Sequence, residues 1–125
     1  MEHTYKIIIA GGRDFADYDL LKRKLDRIIS EKSSLFAIEI VTGKAKGADA
    51  LGEQYAYERH YGIKEFPADW TTGKSAGFIR NGKMAEYADA CICFWDGQSK
   101  GTKHMIGLAK SHGLQLRVIG YNRED

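Results

Sequence analysis

Ala90-Cys91-Ile92-Cys93-Phe94-Trp95-Asp96-Gly97-Gln98-Ser99-Lys100-Gly101-Thr102 is the stretch on which the fold turns. Its first six residues are continuously apolar, which reads as a strand buried on both faces. Asp96 to Gly101 is polar and glycine-rich, and from Thr102 to Ser111 the apolar residues return at helical spacing, with Ile106 and Ala109 on one face. A strand, a glycine-rich loop and a helix start together place bare backbone N–H groups above the strand's carboxyl end. Lys100 and Lys103 border that start, where the helix dipole disfavours cations by roughly 0.3–1 kcal/mol each. An anion between them makes sense of the placement, and the reading is a phosphate-bearing ligand, a nucleotide.

Outward from that stretch, strands and helices alternate along the whole chain. Tyr5 to Ala10 is an apolar, β-branched strand closed by Gly11-Gly12-Arg13-Asp14. Asp17 is placed to cap a helix running to about Ser30, with Leu21, Leu25, Ile28 and Ile29 inward, followed by a turn from Glu31 to Ser34. Ile38 to Thr42 is a second strand, Gly43-Lys44-Ala45-Lys46-Gly47 a loop, and Ala48 to Tyr61 a helix with Gly62 as its C′ residue. Ile63 to Phe66 is a third strand ended by Pro67, Asp69 to Gly73 a loop, and Ser75 to Tyr87 a third helix. After the central stretch, Leu116 to Ile119 is a fifth strand before a polar tail.

This alternation predicts an α/β fold of one domain over residues 1–125. The expected form is a three-layer, Rossmann-like parallel sheet of about five strands, in the order 3-2-1-4-5, with helices on both faces. The switch point then lies between the first and fourth strands, and ligands bind beyond the strands' carboxyl ends. Gly11-Gly12-Arg13, Gly43 to Gly47 and Asp96 to Thr102 all fall on that rim.

Composition narrows the class. The chain has 125 residues, 43% hydrophobic and 29% charged, which describes a folded globular protein. A net charge of +2 does not announce nucleic-acid binding. No apolar run approaches the roughly 20 residues that span a bilayer. Met1 to Thr4 leads straight into a strand-like run, so no signal peptide is expected and the location is read as cytoplasmic. Cys91 and Cys93 share one face of a strand and fit core packing better than a redox pair or a zinc site. Neither a metal nor a cofactor is expected.

The loops themselves limit the chemistry. GxGxxG is absent after the first strand, no acidic residue follows the second, and GxxxxGK[ST] is missing. Lys44, Lys46, Lys74, Lys100 and Lys103 recur at helix starts, against the dipole, which favours an anionic ligand. Arg80 shares a helix face with Met84 and is placed to reach a phosphate, or a surface carboxylate. Asp14, Asp49 and Asp96 lie in loops, with Asp49 by default a helix cap. Trp70 either stacks on a base or covers the core. His3, His60, His104 and His112 are scattered, without a catalytic spacing.

Five segments together resemble the YspA-like group of the SLOG superfamily: Gly11-Gly12-Arg13-Asp14-Phe15, Thr42 to Asp49, Ala68-Asp69-Trp70, Arg80 to Ala85, and Trp95 to Thr102. The resemblance spans about Tyr5 to Gly120. It implies a Rossmann-like fold shared with LOG-type phosphoribohydrolases and the DNA-processing protein DprA, and a role in sensing or processing nucleotides such as ADP-ribose-like signals or nucleoside monophosphates. Gly101-Thr102 looks like the Gly-Thr of the LOG motif GGxGTxxE, and Arg80 with Met84 like its RxxxM. Met105 stands where that motif has its glutamate. A thioether neither donates nor accepts a proton, so hydrolysis requires a carboxylate from Asp14, Asp49 or Asp96. Residues and resemblance together nominate Gly11, Gly12, Arg13, Thr42, Gly43, Lys44, Gly47, Asp49, Trp70, Arg80, Asn81, Asp96, Gly97, Ser99, Gly101 and Thr102 for ligand binding. Arg80 and Asp96 are nominated for catalysis if turnover occurs. The expected partner is a small-molecule nucleotide; a hydrolase of N-glycosidic or phosphate bonds is the alternative, and single-stranded nucleic acid ranks last. Relatives often form dimers, so the resemblance leaves a homodimer open.

Overall fold

A computed structural model describes residues 3–122. Met1 and Glu2 of the N-terminal run, and the end of the expected polar tail, lie outside the described residues. Within them the strands are β1 (Thr4–Gly11), β2 (Ala37–Thr42), β3 (Gly62–Glu65), β4 (Ala90–Trp95) and β5 (Gln115–Gly120). The helices are α1 (Tyr18–Ser33), α2 (Ala48–Glu58), α3 (Ala76–Tyr87) and α4 (Lys100–Ser111). The strands form one parallel sheet in the order β3-β2-β1-β4-β5, as the alternation predicts.

β1 is central, with Ile8 level with Val41 of β2 on one side and Cys91 of β4 on the other. Its pleat divides the core. Ile7 and Ile9 pack with Leu21, Leu25 and Ile29 of α1 and Tyr55 and Ala56 of α2. Ile8 and Ala10 pack with Met84 and Ala85 of α3 and Met105, Ile106 and Ala109 of α4. Period-2 alternation of apolar residues on both faces is what a strand covered twice requires. Cys91 and Cys93 join the second layer, fully buried, with their sulfurs 3.5 Å apart.

The helix ends depart from the sequence reading where backbone chemistry decides. Asp17 caps α1 by accepting from the Leu20 N–H at 3.0 Å. The helix continues through the expected turn to Ser33, because Glu31 and Lys32 are good helix formers and Lys32 suits the last turn. α2 stops at Glu58, and His60, at φ +59°, takes the left-handed position expected of Gly62. His60 N–H donates to Tyr57 O and Tyr61 N–H to Ala56 O, the paired bonds of a Schellman end. Gly62 is thereby released to open β3, an edge strand exposed along its length. The 69–73 segment is not wholly irregular: Trp70–Thr72 forms a 3₁₀ turn capped by Asp69.

Gly47 precedes α2 at φ +78°, and a Cβ there would lie 2.1 Å from Gly12 O. That close approach joins the loop after β2 to the loop after β1, and Ala48 N–H donates to Gly12 O at 3.2 Å. No helix among the described residues is long and apolar enough to cross a membrane.

Candidate functional site

The loops after β1, β2 and β4 meet at the carboxyl edge of the sheet around a cleft of about 460 Å³. The β1 loop brings Gly11, Gly12, Arg13 and Asp14; the β2 side brings Ala45 and Asp49; the β4 loop and α4 bring Asp96, Ser99, Gly101, Thr102 and Met105. The wall opposite comes from the 3₁₀ turn, the short link after it and α3: Trp70, Lys74, Phe78, Arg80, Asn81 and Met84. The cleft is therefore at the β1/β4 switch point, where this sheet order opens a crevice.

Asp49 does not cap α2. As the helix's second residue it turns back, and its Oδ2 accepts the N–H of Gly43 at 3.2 Å and of Ala45 at 3.4 Å. The side chain is 4% exposed. Burial pushes its pKa up to about 6, against the pull of the Arg80 guanidinium and the two amides. Arg80 is half-buried; its Nη1 donates to Gly43 O and its Nε to Asn81 Oδ1 at 3.0 Å. Glycine at position 43 leaves room for both side chains: a Cβ there would lie 2.5 Å from Arg80 Nη1 and 2.9 Å from Asp49 Oδ2, so Arg80 and Asp49 would have to shift. Burial, and then the neighbouring Arg13, lower the Arg80 pKa, while Asp49 raises it.

Asn81, 6% exposed, links α3 to α4: its Nδ2 lies 3.4 Å from Gly101 O and 3.2 Å from His104 Nδ1. Phe78 stacks on the His104 ring at 4.2 Å, and burial lowers the pKa of that histidine. Asp96 Oδ1 accepts the N–H groups of Gln98 and Ser99, both at 2.8 Å, which holds its carboxyl below the usual range. Ser99 caps α4, its Oγ 3.4 Å from Thr102 N. Helix α4 accordingly starts at Lys100, two residues before the expected Thr102. Of the four first-turn amides two are thus satisfied, and those of Lys100 and Gly101 have no partner among the described residues.

The cleft balances Arg13, Lys74 and Arg80 against Asp14, Asp49 and Asp96. Each carboxylate is already engaged, Asp14 by the Tyr121 hydroxyl at 2.6 Å. The cations are less committed: among the described residues none of the three is in a salt bridge. Trp70 is 56% exposed, so it is not core cover, and the Arg13 guanidinium lies 5.9 Å from its ring centroid.

Several nominated residues stand off the cleft. Thr42 is fully buried, donating to Glu53 Oε2 at 2.8 Å and accepting the Lys44 N–H. Lys44 pairs with Glu53 at 2.7 Å and Glu65 at 3.2 Å. Gly43 and Lys44 line a neighbouring hollow instead, while Gly47 and Gly97 shape turns. Lys100 and Lys103 flank a separate depression along α4. Lys74, one of the helix-start lysines that point to an anionic ligand, lines the cleft although it is not among the residues nominated for binding. Phe78 also lines it and carries no such signal, because an apolar residue on an amphipathic helix reads as core; it is 48% exposed. Met105 is buried in the floor among Ile8, Met84 and Ala85, so no carboxylate rises at that position. No cluster of metal-ligating side chains occurs among the described residues.

Known proteins share this architecture. Streptococcus pneumoniae DNA processing protein A (DprA) superposes with a TM-score of 0.73 at 14% identity, over 95% of this chain and 51% of that one. DprA from Helicobacter pylori, studied for its single-stranded DNA binding mode, gives 0.65 at 19% identity, over 91% and 64%. TM1055, a structural genomics target, gives 0.62 at 17% identity, over 93% and 72%. This chain thus spans about half to two-thirds of those DprA chains, and at these identities the likeness is one of fold. The Gene 61 protein of Mycobacterium phage D29 is 33% identical over 126 residues, covering 92% of this chain and 96% of that protein. The model of the YspA, cpYpsA-related SLOG family (YAcAr) matches residues 5–73, more than half of the sequence, and the chain belongs to that family.

Proposed function

We propose that the chain is a binding module for a phosphate-bearing nucleotide, of the nucleoside monophosphate or ADP-ribose type. In this reading the phosphate sits at the start of α4, on the open amides of Lys100 and Gly101, with Arg80 as its charged partner. The observation that supports it most is the convergence of three loops, separated in sequence by up to ninety residues, on one cleft whose carboxylates are hydrogen-bonded and whose cations have no salt-bridge partner among the described residues. Open amides at a helix start and a preorganised guanidinium suit a phosphate's charge and geometry. Asp96, with its carboxylate held by two amides, is suited to accept from a ribose hydroxyl. Trp70 offers an exposed ring for a base.

A thermal-shift panel of nucleotides tests the proposal. A ligand present at tenfold its Kd should stabilise the fold by roughly 1.4 kcal/mol, and Arg80→Ala should weaken binding at least tenfold. Absence of any shift at millimolar nucleotide would contradict it.

One feature favours turnover as a second reading. Asp49 is a buried carboxylate beside Arg80 with a pKa near 6, the range in which proton transfer is efficient. Asp96, whose pKa is lowered, is the poorer proton donor. Release of free base or of phosphate from NAD, ADP-ribose or nucleoside monophosphates would establish hydrolysis. Arg80→Ala and Asp49→Asn should then both abolish product, the first by removing charge stabilisation and the second by removing the proton carrier.

A further inference from the structure

Adjoining the cleft is a second hollow of about 670 Å³, which shares Arg13, Ala45, Trp70 and Arg80 with it. Its remaining lining comes from the β2–α2 loop, including Lys44 and Lys46, and from Pro67 and Ala68. The two spaces differ in charge. Three cations face three carboxylates in the cleft, whereas the second hollow is lined by Arg13, Lys44, Lys46 and Arg80 and by no carboxylate. Lys44 is neutralised by Glu53 and Glu65. Arg13 and Lys46 have no salt-bridge partner among the described residues, and Arg80 is held by a backbone carbonyl and a side-chain amide, both neutral. Burial lowers the Arg80 pKa most, Asp49 raises it, and Arg13, which lines the same hollow, lowers it by less than Asp49 raises it. Gathering like charges around a partly desolvated space costs free energy that a bridging anion offsets.

The cleft by itself is already within the roughly 300–1,000 Å³ of a complete small-molecule site. A mononucleotide therefore asks nothing of the second hollow. We infer that the second hollow is a further anion subsite and that the ligand is a dinucleotide-type small molecule, straddling the wall of Arg80 and Trp70 with a phosphate group on each side. This rests on the nucleotide reading of the cleft and adds the ligand's length and second charge. Arg80 then faces a phosphate from either space, and Trp70 stacks on a base at the junction.

Calorimetric titration of the full chain with adenosine 5′-monophosphate and with 5′-phosphorylated diadenylate, at one fixed salt concentration, tests the inference. The dinucleotide should bind at least tenfold more tightly. Lys46→Glu, which alters only the second hollow, should bring the ratio of the two affinities close to one, and Lys46→Gln should lower it partway. Lys110→Glu, the same charge reversal in the last turn of α4, should leave the ratio as in the wild type; melting curves establish that each variant is folded. Equal affinities in the wild type, or a ratio indifferent to Lys46→Glu, would overturn the second subsite while leaving the nucleotide reading standing. Affinity for oligothymidylates that keeps climbing from two to about ten nucleotides would also overturn it, in favour of an extended strand. Failure of both adenylates to bind would remove the nucleotide reading and the second subsite together.

Discussion

Asp49 concentrates the physics of this rim in one side chain. Its carboxylate is taken out of water to hold the loop after β2, and both amides reach the same oxygen, Oδ2. A pKa of about 6 in the fold against 3.8 for the free group means that the native state holds this proton more tightly than the unfolded chain. The stability linked to it is complete below pH 3.8 and is lost as pH rises through 6. Roughly two pKa units correspond to about 3 kcal/mol. Asparagine can accept both amide bonds and carries no charge. The unfolding free energy of Asp49→Asn, minus that of the wild type, should therefore rise by about 2–3 kcal/mol between roughly pH 4 and pH 7. Urea melts across that range check it; a pH-independent difference would contradict the account. This role was not legible in the sequence, because an aspartate near a helix start satisfies its own helix or the loop before it with the same local spacing. Lys44 was illegible for another reason. Its partners Glu53 and Glu65 come from α2 and from the end of β3, and only the folded sheet brings all three together.

At the level of elements, α3 and the start of α4 face each other across the cleft and supply its charge and its open amides. Adjacent residues on α3 divide the work: Arg80 supplies charge, and Asn81 ties that helix to the first turn of α4. Ser99 fixes where α4 begins and consumes one amide, leaving two open. Ser99→Ala should cost about 0.5–2 kcal/mol of stability, the usual loss on removing a helix cap. It should also weaken nucleotide binding by more than that destabilisation alone explains, because the open amides lose their fixed direction. Comparing unfolding free energy with titrated affinity separates the two effects. Unchanged affinity in a destabilised variant would argue that the α4 start does not hold the phosphate. The Asp17 cap of α1 was readable in the sequence, since Asp followed by a periodic apolar run has one common use. The extension of α1 to Ser33 and the His60 ending of α2 were not. Neither has a glycine or proline at the boundary, and the stop is set by backbone hydrogen bonds.

Over the whole molecule, the alternation of doubly apolar strands with amphipathic helices leaves few ways to fold, and the sheet order follows from right-handed crossovers. That is why the architecture, and the gathering of three glycine-rich loops on one rim, could be derived from residues such as Ile7 to Ala10 and Ala90 to Trp95. What could not be derived is the division of the rim into two spaces of different charge, which depends on where Arg80 lies between the β1 and β2 loops. The central claim is that the cleft at the β1/β4 switch point receives a nucleotide's phosphate. Amide chemical shifts recorded during titration of the uniformly ¹⁵N-labelled chain with adenosine 5′-monophosphate test it most directly. The account predicts saturable shifts at Gly11 to Arg13, at Arg80 and Asn81, and largest at Lys100 and Gly101, with β3 and the far end of α4 unmoved. Shifts absent at millimolar nucleotide, or confined to the depression around Lys103 and Ser111, would contradict it.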